Sequence, residues 1–469
     1  MTNQQKSKKR MILNAFDMNC VGHQNPGMWS HPDDQTHRYK DLDYWTDLAK
    51  LLERGGFDCL FIADVLGFYD VYGGSRETAL RTAAQAPVGD PAIPVSAMAA
   101  VTERLGFGVT KSLTYELPYS FAKTMTTLDH ITKGRVAWNI VTSYQASAAQ
   151  NLGLDDQIPH DERYNVADEF MEVCYKLWEG SWEDDAVVID KENRVFTDPS
   201  KVHDIKHEGK YYKVPGAHLG QPSPQRTPFL FQAGTSKAGT AFAGKHAEAV
   251  FVIGTSPEEL RPTVDKVRQA AAEAGRDPRS VKVIVMLTPV TAPTDEEAQA
   301  KLEDFYKYAD TDAALTLFGG WTGVDLSSAP ADQPLESMES NAIRAMMEML
   351  TRVDSDVVWT KERLAKWLCI GGFSSSIVGS PTTIVDEMER WMEIADVDGF
   401  NLGRVIAPGT MEDFVELVVP ELRRRGHVPQ DPGADGAMTL RERITGDSRL
   451  PVEHVGAKLG AEVSGSLVR

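Results

Sequence analysis

The sequence has few cysteines and no closely spaced pair of them. Among its 469 residues the cysteines are Cys20, Cys59, Cys174 and Cys369. These positions lack the CxxC spacing of a zinc knuckle and the dense, even spacing of a disulfide framework. We therefore expect four reduced thiols and no disulfide.

A long hydrophobic run and an excess of positive charge are also absent. No apolar stretch reaches the roughly 18 residues of a membrane span, and the first one, MILNAFDMN, is too short and too polar for a signal peptide. We therefore expect a cytoplasmic protein without a membrane partner. The 49 Lys and Arg against 68 Asp and Glu give a net charge of −19. A nucleic-acid partner is not expected, because binding to a phosphate backbone relies on clustered basic residues.

Motifs that would indicate a metal site or a serine nucleophile are missing as well. The sequence contains no HExxH, no EF-hand loop and no GxSxG pattern. His203 and His207 lie four residues apart without a carboxylate cluster of ligand spacing, so we expect surface histidines and no metal. The segment GTSKAGTAFAGK from Gly234 lacks the P-loop and GxGxxG spacings. We interpret it as a strand-to-helix turn, whose backbone N–H groups favour an anion such as phosphate.

Short runs rich in β-branched and aromatic residues alternate with helical patterns along the chain. The eight runs are MILNAF from Met11, DCLFIAD from Asp58, LGFGVTKS from Leu105, RVAWNIVTS from Arg135, PFLFQAG from Pro228, EAVFVIG from Glu248, VKVIVML from Val281 and DGFNLG from Asp398. Continuous hydrophobic strands between helices are typical of a parallel sheet that is covered on both faces. We therefore predict an α/β fold, a closed (β/α)₈ TIM barrel, with an open doubly wound sheet as the second choice.

Two of the connections are far longer than a normal crossover. Residues 144–227 follow the fourth strand and residues 288–396 follow the seventh. Since long loops without structure are uncommon in compact domains, we expect these insertions to cover or shape a site. We assign residues 1–429 to a single barrel domain and residues 430–469 to a C-terminal tail available to a neighbouring subunit.

Polar residues stand where several of these strands end, which is where barrel enzymes place their catalytic groups. They are Asp64, Thr110, Ser112, Asn139, Thr142, Ser143, Gly234, Thr235 and Ser236. Each alone could be an ordinary strand-end cap, but a barrel would bring them to one mouth. After the first strand, Cys20 and His23 suggest a pocket floor in which His23 donates or accepts a proton, since an imidazole has a pKa near the working range. The alternative is a core thiol and a surface histidine.

Longer segments resemble the flavin-dependent monooxygenases of the bacterial-luciferase-like superfamily. The resemblance covers about residues 11–450. Within the superfamily, the sequence is similar to the branch that contains nitrilotriacetate, dibenzothiophene-sulfone, long-chain alkane and dimethyl-sulfide monooxygenases. The matching segments are NAFDMNCVGH, LERGGFDCLFIADVLGFYDVYGG, TLDHITKGRVAWNIVTS, HDERYNVADEFMEVCYKLWEGSWEDDAV, FTDPSKVH, PSPQRTPFLFQAG, FGGWTG and DGFNL.

This resemblance implies a barrel that binds reduced FMN and uses O₂, with a C4a-(hydro)peroxyflavin as the oxygenating species. NAD(P)H would act only through a partner NAD(P)H:flavin oxidoreductase, and a homodimer or homotetramer is implied. The family's flavin contacts fall on Asp64, Thr110, His160, Tyr164 and Ser236, with Asn139 and Ser143 near the isoalloxazine. Among these, Tyr164 and Ser236 would hold the phosphate.

The resemblance also implies a catalytic and substrate pocket formed by Cys20, His23, Tyr69 and Gln85. Two histidines of the alkane enzymes become Tyr144 and Leu317 here, which argues against alkane hydroxylation. The segments NAFDM, FYDVY, SWEDDAV, FGGWTG and CIGG resemble the dimethyl-sulfide enzymes more, which favours a small organosulfur substrate. The best candidate is dimethyl sulfide, which would give methanethiol and formaldehyde. Long-chain alkanes and aromatic sulfones are alternatives within the branch. Outside it, the alternatives are a deazaflavin-dependent oxidoreductase and a non-catalytic flavin-binding protein.

Overall fold

The computed structural model describes residues 9–234, 236–335, 358–431, 433 and 438–465. Residues 336–357 of the predicted second insertion and parts of the predicted tail therefore lie outside the described residues. In the part of the chain that is described, no helix combines the length and the apolar character needed to cross a bilayer. The four cysteines are free and buried, as expected for reduced thiols.

Eight parallel strands close into a barrel, which confirms the predicted (β/α)₈ fold. They are β1 (Ile12–Met18), β2 (Cys59–Ala63), β3 (Gly106–Ser112), β4 (Val136–Val141), β9 (Phe229–Gln232), β10 (Ala249–Val252), β11 (Lys282–Thr291) and β13 (Gly399–Gly403). Each strand pairs with its neighbours in chain order, and β13 pairs with both β11 and β1. The pairing of β10 with β11 closes the ring, so all carboxyl ends of the strands lie at one mouth.

The remaining strands lie in the two insertions. They are β5 (Val187–Asp190), β6 (Val195–Thr197), β7 (His207–Glu208), β8 (Lys213–Val214) and β12 (Ser375–Gly379). The first four form two antiparallel hairpins. Strand β12 extends the sheet at β11, because β11 has ten residues and pairs with β13 along its first half and with β12 along its second half. The sequence did not predict β12, since it is short and partly exposed.

Helices surround the barrel and fill the insertions. They are α1 (Leu42–Gly55), α2 (Glu77–Thr82), α3 (Val95–Ala100), α4 (Pro118–Ile131), α5 (Ala146–Asn151), α6 (His160–Tyr175), α7 (Lys237–His246), α8 (Pro257–Glu273), α9 (Asp295–Tyr306), α10 (Thr311–Thr322), α11 (Lys361–Leu368), α12 (Pro381–Ile394), α13 (Gly409–Asp413), α14 (Val419–Arg425), α15 (Leu440–Thr445) and α16 (Val455–Ser464). The hydroxyls of Ser256 and Ser380 cap α8 and α12, each followed by a proline at the first helical position.

The described part of the C-terminal tail closes the amino end of its own barrel. Leu440 and Ile444 of α15 join the apolar side chains inside the barrel. Between them, the fully buried Arg441 donates to both carboxylate oxygens of Glu248, at 2.7 and 2.9 Å, and to the carbonyl of Gln225 at 3.0 Å. In this chain the tail therefore packs on its own barrel.

Removal of the Arg441 guanidinium should destabilise the fold strongly, because it leaves the Glu248 carboxylate buried without its partner. We expect Arg441→Leu to lower the free energy of unfolding by about 3–5 kcal/mol. Arg424→Leu is the matched control, since Arg424 pairs with Glu421 at the surface and should cost about 1 kcal/mol or less. Urea denaturation followed by circular dichroism measures both. Equal losses in the two variants would contradict the structural role of Arg441.

Candidate active site

A cavity of about 360 Å³ opens at the carboxyl ends of β2, β3, β4 and β9. Five of the seven residues predicted to bind a cofactor line it, namely Asp64, Thr110, Ser143, His160 and Tyr164. Tyr144, predicted to lie in the substrate pocket, lines it as well. The first predicted insertion supplies one wall, because α6 begins at His160 as the HDERY segment indicated.

Thr110 and Asn139 lie side by side on neighbouring strands below this cavity. They are paired in the register of β3 and β4, and the Asn139 side-chain nitrogen donates to the Thr110 hydroxyl at 3.0 Å. The Asn139 Oδ1 atom is buried and has no hydrogen-bond partner among the described residues. Since buried polar atoms are almost always paired, this oxygen is suited to accept a hydrogen bond from a bound ligand.

Asp64 follows β2 and lines the cavity, and the pKa of its carboxyl is raised. Burial and the neighbouring Asp90 raise the pKa of Asp64 to about 7, although Lys111 opposes the shift. Lys111 forms an ion pair with Asp90 at 2.5 Å, which weakens its effect on Asp64. The carboxyl therefore changes its charge near neutral pH.

The opposite end of the cavity is suited to an anion. The Ser236 hydroxyl caps α7, accepting from the Gly239 N–H at 3.1 Å, and lies 3.4 Å from His160 Nε2. A Cβ added to Gly239 would stand 2.8 Å from the Tyr164 hydroxyl, so this tyrosine also reaches the start of the helix. A helix N-terminus with hydroxyl and imidazole groups around it favours a phosphate. Thr235 lies outside the described residues.

Tyr69, Gln85 and Tyr144 form one hydrogen-bonded chain, although they are distant in sequence. The Gln85 side-chain nitrogen donates to the His23 carbonyl at 3.0 Å. The Tyr69 hydroxyl donates to Gln85 Oε1 at 3.0 Å and lies 2.8 Å from the Tyr144 hydroxyl. Leu317 packs against Tyr69 in a small apolar cluster. The structure thus brings together the residues that the sequence predicted for the substrate pocket and connects them to the cavity through Tyr144.

Cys20 and His23 lie in the loop after β1 and are buried. Arg404 donates to Asp17 at 2.8 Å and to the Cys20 carbonyl at 3.4 Å, which fastens this loop to the end of β13. Burial raises the pKa of the Cys20 thiol, and burial together with Arg404 lowers the pKa of His23 well below its usual range. Both groups are therefore neutral near pH 7. The expectation of an imidazole that titrates near the working pH was wrong, because the loop is desolvated.

The two histidines of the first insertion do not form a metal site. Within the described residues, no group of three His, Cys, Asp or Glu side chains is arranged to hold a metal ion. His203 contacts Glu183 at 2.9 Å and is partly exposed. His207 contacts Glu169 at 3.2 Å and is buried, so its predicted surface position was wrong.

Two residues of the site were missed although their motifs were quoted. Arg163, from HDERY, lines the cavity and donates to the Ser143 carbonyl. Ser143 adopts a positive φ of 57°, which non-glycine residues rarely adopt, so this bond fixes a strained turn. Trp321, from FGGWTG, packs against the apolar cluster that contains Tyr69 and Leu317. The motifs indicated these segments, but not which of their side chains face the site.

Comparison with known protein families matches residues 25–397 to the luciferase-like monooxygenases. The chain belongs to this family. Dimethyl-sulfide monooxygenase of Hyphomicrobium sulfonivorans is 52% identical over 451 residues, which cover 96% of this chain and 94% of that protein. Long-chain alkane monooxygenase of Geobacillus thermodenitrificans (strain NG80-2) is 48% identical over 454 residues, covering 96% and 98%. The predicted family and the prediction of an oxidoreductase are confirmed.

Solved structures agree with this assignment to the luciferase-like monooxygenases. The crystal structure of DmoA from Hyphomicrobium sulfonivorans has 51% sequence identity and a TM-score of 0.92, covering 98% of this chain and 97% of that chain. Riboflavin lyase (RcaE), solved with modified FMN and riboflavin, has 38% identity and a TM-score of 0.86, covering 96% and 99%. The barrel and its insertions are thus shared with these relatives.

The raised pKa of Asp64 should make the stability of this luciferase-like monooxygenase depend on pH. Its folded-state pKa of about 7 lies above the value of about 4 for an unfolded aspartate. The folded chain therefore binds the proton more tightly, and ionisation of Asp64 costs stability as the pH rises between these two values. We therefore compare the free energy of unfolding of Asp64→Asn with that of the wild type at two pH values. We expect the advantage of the variant to be larger at about pH 8 than at about pH 5, by on the order of 1 kcal/mol.

Urea denaturation at the two pH values measures this difference. Asp161→Asn is the control, because Asp161 is exposed beside His160 and carries no buried charge. A stability difference between Asp64→Asn and the wild type that is the same at both pH values would contradict the prediction.

Proposed function

We propose that this monooxygenase uses reduced FMN and O₂ to oxygenate a small organosulfur compound, with dimethyl sulfide as the best candidate. Dimethyl sulfide, O₂ and reduced FMN would give methanethiol, formaldehyde, water and oxidised FMN. When bound, the reduced flavin supplies the two electrons and activates O₂. The chain's own residues bind and orient the reactants and exclude water.

The observation that carries the flavin proposal is the opposite character of the two ends of the cavity. At one end, His160, Tyr164 and Ser236 surround the N-terminus of α7, which suits a phosphate. At the other end, Thr110 and the unpartnered Asn139 oxygen suit the polar edge of a ring system. FMN carries a phosphate and a polar heteroaromatic ring at its two ends. The similarity to a structure that contains modified FMN supports this choice.

The organosulfur substrate is supported by similarity and by the walls of the pocket. The relative that is 52% identical is named dimethyl-sulfide monooxygenase. Tyr69 and Leu317 are buried among apolar side chains, which suits a small substrate of low polarity. Cys20 and His23 are themselves neutral near pH 7, so neither adds a charge to this region. A long-chain alkane is the alternative, because the relative that is 48% identical acts on alkanes by its name.

The proposed reaction needs a source of reduced flavin. We propose an NAD(P)H:flavin oxidoreductase as the partner, with NAD(P)H acting only through that enzyme. Further proposals are a homodimer or homotetramer in the cytoplasm, as the family resemblance and the expected reduced thiols suggested.

Turnover with a coupled reductase tests the reaction directly. The purified chain, FMN, NADH and a flavin reductase should consume dimethyl sulfide and O₂ in equal amounts, with release of methanethiol and formaldehyde. Long alkanes and aromatic sulfones in parallel reactions compare the alternatives within the family. NADH consumption that does not depend on any of these substrates would contradict the proposed activity, and turnover of another substrate alone would contradict dimethyl sulfide.

The phosphate end can be tested by comparing FMN with riboflavin, which lacks the phosphate. We expect Tyr164→Phe and Ser236→Ala each to weaken FMN binding by about tenfold, since a hydrogen bond to a charged group contributes about 1.5–3 kcal/mol. Riboflavin affinity should change much less in both variants. Fluorescence titration measures the dissociation constants. Tyr119→Phe is the control, because Tyr119 is exposed and bonds the Ala217 carbonyl away from the cavity. Equal losses for FMN and riboflavin would place the phosphate elsewhere.

A further inference from the structure

The hydroxyl of Tyr69 lies between two hydrogen-bonding neighbours. A tyrosine hydroxyl donates one hydrogen and accepts at most two. Tyr69 Oη lies 3.0 Å from Gln85 Oε1 and 2.8 Å from the Tyr144 hydroxyl. The direction of the bond to Tyr144 therefore depends on where the single Tyr69 hydrogen goes.

Gln85 determines that direction. Its side-chain nitrogen lies 3.0 Å from the His23 carbonyl oxygen, which can only accept. The amide must therefore present Nε2 to His23 and Oε1 to Tyr69. Because an amide oxygen cannot donate, the Tyr69 hydrogen is committed to Gln85. Tyr69 then accepts from Tyr144, its other hydrogen-bonding neighbour.

It follows that Tyr144 donates its own hydrogen to Tyr69 and has only lone pairs left. Tyr144 lines the cavity, whereas Tyr69 lies behind it. Desolvation of the two hydroxyl groups raises the pKa of Tyr144 to about 12 and raises that of Tyr69 as well, so both hydroxyls keep their hydrogens near neutral pH. The arrangement is also held sterically, because a Cβ on Gly320 would stand 1.8 Å from the Tyr69 ring.

We infer that Tyr144 acts as an acceptor toward the cavity and thereby selects reduced over oxidised flavin. The inference rests on the proposed function. In oxidised flavin the ring nitrogen N5 carries only a lone pair, whereas reduction adds a hydrogen and makes N5 a donor. The inference places the Tyr144 hydroxyl against N5, where an acceptor with no hydrogen to give bonds the reduced ring but meets the oxidised ring with two opposed lone pairs. Tyr144 would therefore retain the flavin that arrives from the reductase and release the spent one.

Dissociation constants for the two redox states of FMN test this inference without turnover. Titrations of oxidised FMN in air and of reduced FMN without oxygen give the ratio of the oxidised to the reduced constant. We expect Tyr144→Phe to lower this ratio by about tenfold, mainly by weakening the reduced state. Tyr144 is half exposed, so this variant should fold. Tyr119→Phe, an exposed tyrosine outside the cavity, should leave the ratio unchanged.

A second variant tests the direction of the hydrogen bond. Tyr69→Phe removes the acceptor for the Tyr144 hydrogen, so Tyr144 can then donate to the oxidised ring. We expect oxidised FMN to bind more tightly to this variant, which also lowers the ratio. Weaker binding of oxidised FMN by Tyr69→Phe, in a variant whose circular dichroism matches the wild type, would overturn the inference.

The outcomes separate this inference from the proposed function. Saturable FMN binding with the same ratio in Tyr144→Phe and the wild type would overturn the role of Tyr144 and leave the flavin proposal in place. Absence of saturable binding of either redox state by the wild type would overturn both.

Discussion

The hydrogen bonds between β10 and β11 close the sheet, and the location of the site depends on this closure. Strands β2 and β9 are separated only by β3 and β4 in the sheet, and closure of the barrel curves these four neighbours so that their ends face one another. In the closed barrel the ends of β2 and β9 border one cavity together with the ends of β3 and β4. The strands are parallel, so every carboxyl end contributes to the same mouth, and the insertion after β4 adds α6 as a wall. The two ends of the cavity, which we propose to bind the phosphate and the ring of FMN, are formed by segments that this geometry brings together.

Desolvation then determines the chemistry of the side chains around that mouth. It holds Cys20 and His23 neutral and keeps the hydroxyl of Tyr69 protonated. Desolvation also raises the pKa of Asp64 to about 7, so this carboxyl, which lines the cavity, titrates near neutral pH. The region combines a helix N-terminus suited to an anion, one ionisable carboxyl and the uncharged side chains of Cys20, His23 and Tyr69. Such a combination is consistent with chemistry that a bound flavin performs while the protein controls polarity and access of water.

The sequence was sufficient for the barrel because its eight strands are apolar and separated by clear helical patterns. Asp64, Thr110 and Ser143 could be predicted for the same reason, since they lie at or just after the carboxyl ends of such strands. His160 and Tyr164 came from a family resemblance, and the start of α6 at His160 agrees with it.

Other features depend on contacts between distant residues, which a sequence pattern does not reveal. The pKa of His23 depends on burial and on Arg404, which is nearly 400 positions away. The directed chain through Gln85 and Tyr69 joins segments that no local motif connects. The C-terminal tail was predicted to be separate from the barrel. Its contact with the barrel was not predictable, because the buried Arg441 pairs with Glu248, which is distant in sequence.

Helix α15 covers the amino end of the barrel, and this has a consequence for how the chain reaches its native state. The aromatic interior of the barrel, including Phe231 and Phe251, is covered from below by Leu440 and Ile444. These two side chains are synthesised after all eight barrel strands. During translation the apolar interior of the barrel therefore stays uncovered at its amino end until α15 has left the ribosome. That interval is when the nascent chain is most prone to bind a chaperone or to aggregate.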